Sequence, residues 1–91
     1  MKKYQRCCAL EAGTVPADQF WLLVEISSIH SNRIINALHD YLVDGDSRKI
    51  ICGRYNVNNG YFSVCLKRLV DVHKIVIELV PFYKDFDMYE F

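Results

Sequence analysis

The stretch CGRYNVNNGYFS, residues 52–63, constrains this chain more than any other. It crowds Gly53, Asn56, Asn58, Asn59 and Gly60 into a short span between two apolar segments. Downstream, Phe62, Cys65, Leu66, Leu69 and Val70 recur at i, i+3, i+4, i+7 and i+8, which is the period of a helix and not of a strand. Upstream, Ile50, Ile51 and Arg54 read as helix too. Asn59-Gly60 is a strong short hairpin signal, but a hairpin needs alternating strands on both sides, and neither flank alternates. The sequence predicts helix, tight turn, helix.

That reading assigns roles by packing. Where two helices cross closely, the first must offer a small residue, here Cys52, with Ile51 and Tyr55 facing the core. The turn needs a residue that tolerates the left-handed region, here Asn56, and then an apolar plug, Val57. Phe62, Cys65 and Leu66 pack the second helix inward. The turn leaves Asn58, Asn59, Gly60, Tyr61 and Ser63 at the exposed front of that helix. Asparagine can bond base edges or phosphates. Hydroxyls and helix-terminal N–H groups can bind phosphate, and Gly60 would allow close backbone approach.

Charge points the same way. The chain is neutral overall, which by itself argues against a polyanionic partner. Yet Arg48, Lys49, Arg54, Lys67 and Arg68 all fall between residues 47 and 70, and that segment contains no acidic residue. Clustering of this kind within a neutral chain builds a local basic face. Arg48 at one end and Lys67 and Arg68 at the other can clamp flanking phosphates.

The rest of the chain reads as further helices around one modest core, in an all-α domain of four to five helices. At 91 residues this is a single domain. Thr14-Val15-Pro16 opens a first helix, with Pro in the first turn; residues 17–27 follow. Phe20, Leu23, Val24 and Ser27 share a face, while Trp21, Leu22 and Ile26 spread beyond it. Ser31 caps a second helix through Asp44, which Gly45 ends in left-handed fashion. Ser47 caps a third. Asp71 is expected to punctuate the segment 72–80, whose four-residue apolar spacing favours a terminal helix and whose β-branched residues leave a strand open. Pro81 is expected to stop it. Residues 1–13 are expected to be a flexible arm, 14–83 the functional domain, and 84–91 an acidic, aromatic tail.

Trp21, Leu22 and Ile26 exceed what one core face needs, and Phe82, Tyr83, Phe86, Tyr89 and Phe91 follow. Large apolar patches mark interfaces, so either a second copy covers them or the tail wraps its own core. Several function classes find no support. There is no carboxylate pair, Ser–His–Asp set or phosphate loop, so no enzyme is expected. Cys7, Cys8, Cys52 and Cys65 include no C-x-x-C pair, and His30, His39 and His73 lack finger spacing, so no metal or cofactor is expected. His39 beside Asp40 reads as a helix-surface pair. The apolar runs are too short to span a membrane, and MKKYQRCC has no signal-peptide apolar region; the cytoplasm is the expected compartment.

Several longer words then come together: ISSIHS (26–31), DYLV (40–43), SRK (47–49) followed by Cys52, NNGYFS (58–63) and LVPFY (79–83). With them the segment 20–83 resembles the PapB-type regulators of fimbrial (adhesin) operons of enteric bacteria. The resemblance implies an all-helical, nucleoid-associated transcription regulator that binds AT-rich, T-rich repeats in double-stranded DNA as a homo-oligomer, with minor-groove contacts. It implies roles in DNA binding for Arg48 and Cys52, and in self-association for Asp40 and Val43. The packing reading would instead make Cys52 an indirect contributor that keeps the helices in register. The competing reading is a helical protein-interaction module whose basic face is incidental.

Overall fold

The computed structural model describes residues 10–84. Among them the fold is all-helical, with four α-helices and no strand. They are α1 (Ala17–Ile26), α2 (Asn32–His39), α3 (Arg48–Tyr55) and α4 (Asn59–Tyr83). A five-residue π-helical turn, Asp40–Asp44, continues α2.

The helix starts follow local chemistry. Ser31 Oγ accepts from Ile34 N–H, and Ser47 Oγ accepts from Ile50 N–H at 3.3 Å. Asn58 Oδ1 accepts from both Gly60 and Tyr61 N–H, at 2.7 and 3.1 Å. Each satisfies N–H groups that have no partner inside the helix. Ser27 makes the corner between α1 and α2: its hydroxyl donates to the Val24 carbonyl and accepts from Ile29 N–H.

The core is one cluster drawn from every element. Phe20 and Leu23 of α1 meet Ile34, Ala37 and Leu38 of α2, Leu42 of the π turn, Ile51 of α3, and Phe62, Cys65 and Leu69 of α4. Val15, Ile29 and Val57 close it from the connecting segments. Tyr41 packs edge-on against Phe62, with ring centroids 5.5 Å apart.

The π turn is held from outside by the chain that precedes α1. Gly13 N–H donates to the Tyr41 carbonyl and Val15 N–H to that of Leu42, at 3.0 and 3.1 Å. Gly13 and Gly45 both have positive φ and meet backbone to backbone; a Cβ on Gly13 would lie 3.2 Å from the Gly45 Cα. A side chain at either position would be strained and would also push the two segments apart.

Three expectations need correction. α2 does not run evenly to Asp44; its α-helical part ends at His39 and the wider turn takes over. Asp71 does not punctuate α4 but lies inside it, where its carboxylate pairs with Lys67 one turn earlier at 3.0 Å. Pro81 does not stop the helix, which continues to Tyr83. Proline removes one ladder bond, the one its N–H would have made to the Ile77 carbonyl, and this close to the helix end few bonds depend on it. The helix alternative for residues 72–80 holds and the strand does not. Phe86, Tyr89 and Phe91 lie outside the described residues, as do Cys7 and Cys8.

Candidate nucleic-acid interface

α3 and α4 are joined by Asn56, Val57 and Asn58. Asn56 is the single non-glycine residue with positive φ among the described residues, at φ 54° and ψ 52°. Its N–H and that of Val57 both reach the Cys52 carbonyl. Val57 is buried as the plug, Ile51 is fully buried, and Cys52, Tyr55 and Leu66 pack partly against the core. The small side chain of Cys52 thus stands at the seam between α3 and the core.

Arg48 ties the two helix starts together. Its guanidinium donates to Ser63 Oγ and lies 5.0 Å from the centroid of the buried Phe62 ring. Its Nε is buried without a hydrogen-bond partner. A guanidinium seated on an aromatic face and holding one hydroxyl is fixed in direction while keeping further N–H donors for a planar or tetrahedral oxyanion.

Asn59, Gly60, Tyr61, Ser63, Lys67 and Arg68 are exposed along α4, and Lys49 is exposed on α3. Tyr61 is half-exposed, and a hydrogen bond with the Cys65 side chain raises its hydroxyl pKa above the ordinary value. The charges of Arg68 and Arg33 act on the same hydroxyl in the opposite sense. Arg33, exposed on α2 and far away in sequence, thus lies close enough to this surface for its charge to act on it. A signal for it exists: it sits in the first turn of a helix, where the macrodipole disfavours a cation. The same holds for Arg48 and Lys49 at the start of α3. No acidic residue occupies the first turn of α2, α3 or α4.

Some predicted residues are placed differently. Asn58 Oδ1 is engaged as the α4 cap, and Gly60 makes room for it: a Cβ there would stand 3.0 Å from that oxygen. Arg54 lies apart from Arg48. Its Nη1 bonds Asp40 Oδ2 at 2.6 Å and Asp46 Oδ2 at 3.0 Å. Those bonds, Asp46 first, raise its pKa further above its ordinary range. Burial alone would raise the Asp40 carboxyl, but hydrogen bonds from Tyr55, Arg54 and His39 outweigh it and hold the group below its ordinary value. Asp40 thus fastens the end of α3 to the π turn, with Tyr55 Oη donating to it at 2.7 Å.

The residues predicted for self-association fall into two places. Trp21, Leu22 and Ile26 are exposed on α1, where Trp21 and Leu22 line an open depression with Asp18, Val24 and Glu25. Asp40 and Val43 lie in the π turn, with Val43 half-buried against the core. His39 links the two, its ring 5.3 Å from that of Phe20 and 5.6 Å from that of Trp21.

The fold and this surface define a small helical protein with a cationic front at clustered helix starts. Residues 1–83 match the family described as adhesin biosynthesis transcription regulatory protein, PapB, and the chain belongs to that family. It is a family of transcription regulators and not of enzymes. The chain is 57% identical over 74 residues to the AFA-III adhesin operon regulatory protein of Escherichia coli, covering 81% of this chain and 73% of that one. It is 49% identical over 73 residues to the E. coli pilus operon regulatory protein PapB, covering 80% and 70%. The crystal structure of E. coli FocB superposes with a TM-score of 0.80 at 49% identity, covering 90% and 93%. No helix among the described residues is long and apolar enough to cross a membrane.

Proposed function

We propose that this chain regulates transcription of fimbrial adhesin genes by binding AT-rich, repeated sites in double-stranded DNA as a homo-oligomer, in the cytoplasm and at the nucleoid. The observation that carries the reading is the set of cations placed against helix dipoles: Arg33, Arg48 and Lys49 in first turns that lack acid. An arrangement unfavourable in the free protein becomes favourable when phosphates arrive. Arg48, Lys49, Tyr61, Ser63, Lys67 and Arg68, joined by Arg33, form the DNA-facing surface, with Asn59 at its edge. Asn58, Gly60 and Cys52 act through geometry, by setting the start of α4 and the seam behind it. Arg54 acts through Asp40, keeping α3 in place. Minor-groove contact suits a front that offers guanidinium and hydroxyl groups. Trp21, Leu22 and Ile26, with Asp40 and Val43 in the adjoining turn, form the self-association surface. One neutral copy makes few phosphate contacts; copies on repeated sites multiply them.

The test is a titration onto a T-rich and a GC-rich duplex of equal length, at several salt concentrations, with and without a drug that blocks the minor groove. Tight, cooperative, AT-selective binding abolished by the drug is expected. Arg48→Ala should weaken binding and lower the salt slope by about one, the loss of one phosphate contact. An unchanged affinity and slope would remove Arg48 from the surface. The exposed apolar residues of α4 favour one other reading, a protein-interaction module. Weak binding, equal on both duplexes and gone at moderate salt, would favour it.

A further inference from the structure

The π turn gathers a donor set that a regular α-helix would scatter. In an α-helix, residues five apart are offset by about 140° around the axis, from 3.6 residues per turn. Here the turn closes with the Gly45 N–H on the Asp40 carbonyl, five residues back, and brings positions 39 and 44 to one side. His39 Nδ1 lies 3.6 Å from Asp40 Oδ1 and 3.8 Å from Asp44 Oδ2. One ligand atom from each of the three residues falls within 4.8 Å of the others. Metal–ligand bonds of about 2.1 Å in a tetrahedral site put neighbouring donors about 3.4 Å apart, so the two His39 pairs are already near that spacing and the two carboxylates would draw together by side-chain rotation to close the set around an ion.

The surroundings support the same use. Asp40 divides its oxygens: Oδ2 takes the Tyr55 hydroxyl and Arg54, while Oδ1 faces His39. Outer partners of this kind orient a metal-binding carboxylate. Arg54 pairs with Asp40 and Asp46, while Asp44 faces His39; three carboxylates beside one guanidinium leave surplus negative charge, which is what a divalent cation neutralises. Asp44 is half-exposed and His39 about a quarter exposed, so an ion can enter with its remaining waters. A set of one imidazole nitrogen and two carboxylate oxygens suits borderline divalent ions better than calcium or magnesium, which take oxygen alone.

We propose that His39, Asp40 and Asp44 form a binding site for a divalent transition-metal ion of the zinc, cobalt and nickel class. The site shares no residue with the DNA-facing surface. It also has a built-in reporter, because the His39 ring lies 5.6 Å from Trp21, the chain's one tryptophan.

The test titrates the full chain, free of any polyhistidine tag, with Co²⁺ while following tryptophan emission and the visible spectrum. Saturable quenching at one ion per chain is expected, without the intense thiolate-to-metal band that a cysteine site would give. His39→Gln and Asp44→Asn should each weaken the apparent affinity at least about tenfold, the scale on which metal sites lose affinity when a single partner is changed. Asp44→Asn alters an exposed side chain, so its helical circular dichroism should stay that of the parent. Absence of saturable quenching, a thiolate band, or affinity unchanged in both variants would each overturn the assignment.

Discussion

The two halves of α4 share one backbone and differ in almost everything else. In the front half Phe62 and Leu69 are fully buried, Asn58 caps the start, and Arg48 reaches across from α3. In the rear half, beyond the buried His73, Ile75, Leu79 and Val80 are exposed, Tyr83 is 60% exposed and Phe82 is 80% exposed. Tertiary packing supplies most helix stability in proteins, and extending an existing helix is far easier than nucleating one. The front half is therefore a nucleus held by the core, and the rear half is propagated from it. The apolar surface left on the rear is of the kind that an assembling partner covers.

Paired substitutions test that contrast. Phe62→Ala should cost about 3–5 kcal/mol in urea unfolding, because it opens a cavity in a closed core. Phe82→Ala should stay within about 0.5 kcal/mol, as expected for a surface change. A large loss at Phe82 in a dilute monomer would mean that the rear is packed after all.

Asp40 comes next in size. Asp40→Ala should cost about 1–3 kcal/mol, since it strips Tyr55 of its acceptor and leaves Arg54 with Asp46 alone. Because the folded state holds this carboxyl below its ordinary value of 3.8, its contribution is complete above that pH. It is lost as pH falls through the lower folded value. Acid unfolding of the parent should show this loss, and Asp40→Ala should lack it.

Asn58→Ala should cost about 1 kcal/mol, the usual worth of an N-cap. It should lower amide-exchange protection first at the α4 start. Protection lost equally along α4 would break the picture of a front-held helix.

Much of the fold was legible because its punctuation is local. Ser31 and Ser47 as caps, Gly45 as a left-handed stop, Asn56 in the turn and Val57 as plug each rest on a neighbour within a few residues. The apolar period after Phe62 separated helix from hairpin for the same reason. The misreadings around α4 came from treating single residues as stops. Asp71 is satisfied by Lys67 one turn back, and Pro81 sits where few backbone bonds remain to be lost. The π turn had no sequence signal, since its width depends on Gly13 and Val15 binding it from outside. The front surface was partly legible through its acid-free charge run. Arg54 misled because its partners, Asp40 and Asp46, lie outside that run. Arg33 was missed because only the fold brings it near Tyr61.

The length of α4 sets a distance as well as a shape. At 1.5 Å per residue its 25 residues extend about 37 Å, most of the molecule's 46 Å long dimension. No loop interrupts it between the proposed DNA-reading end and the apolar end. Such a rod behaves as a ruler and a lever together: an angle imposed at one end arrives undiminished at the other. In copies lined up along a duplex, the distance from each DNA-facing front to the apolar end of the same copy would be set by this one helix.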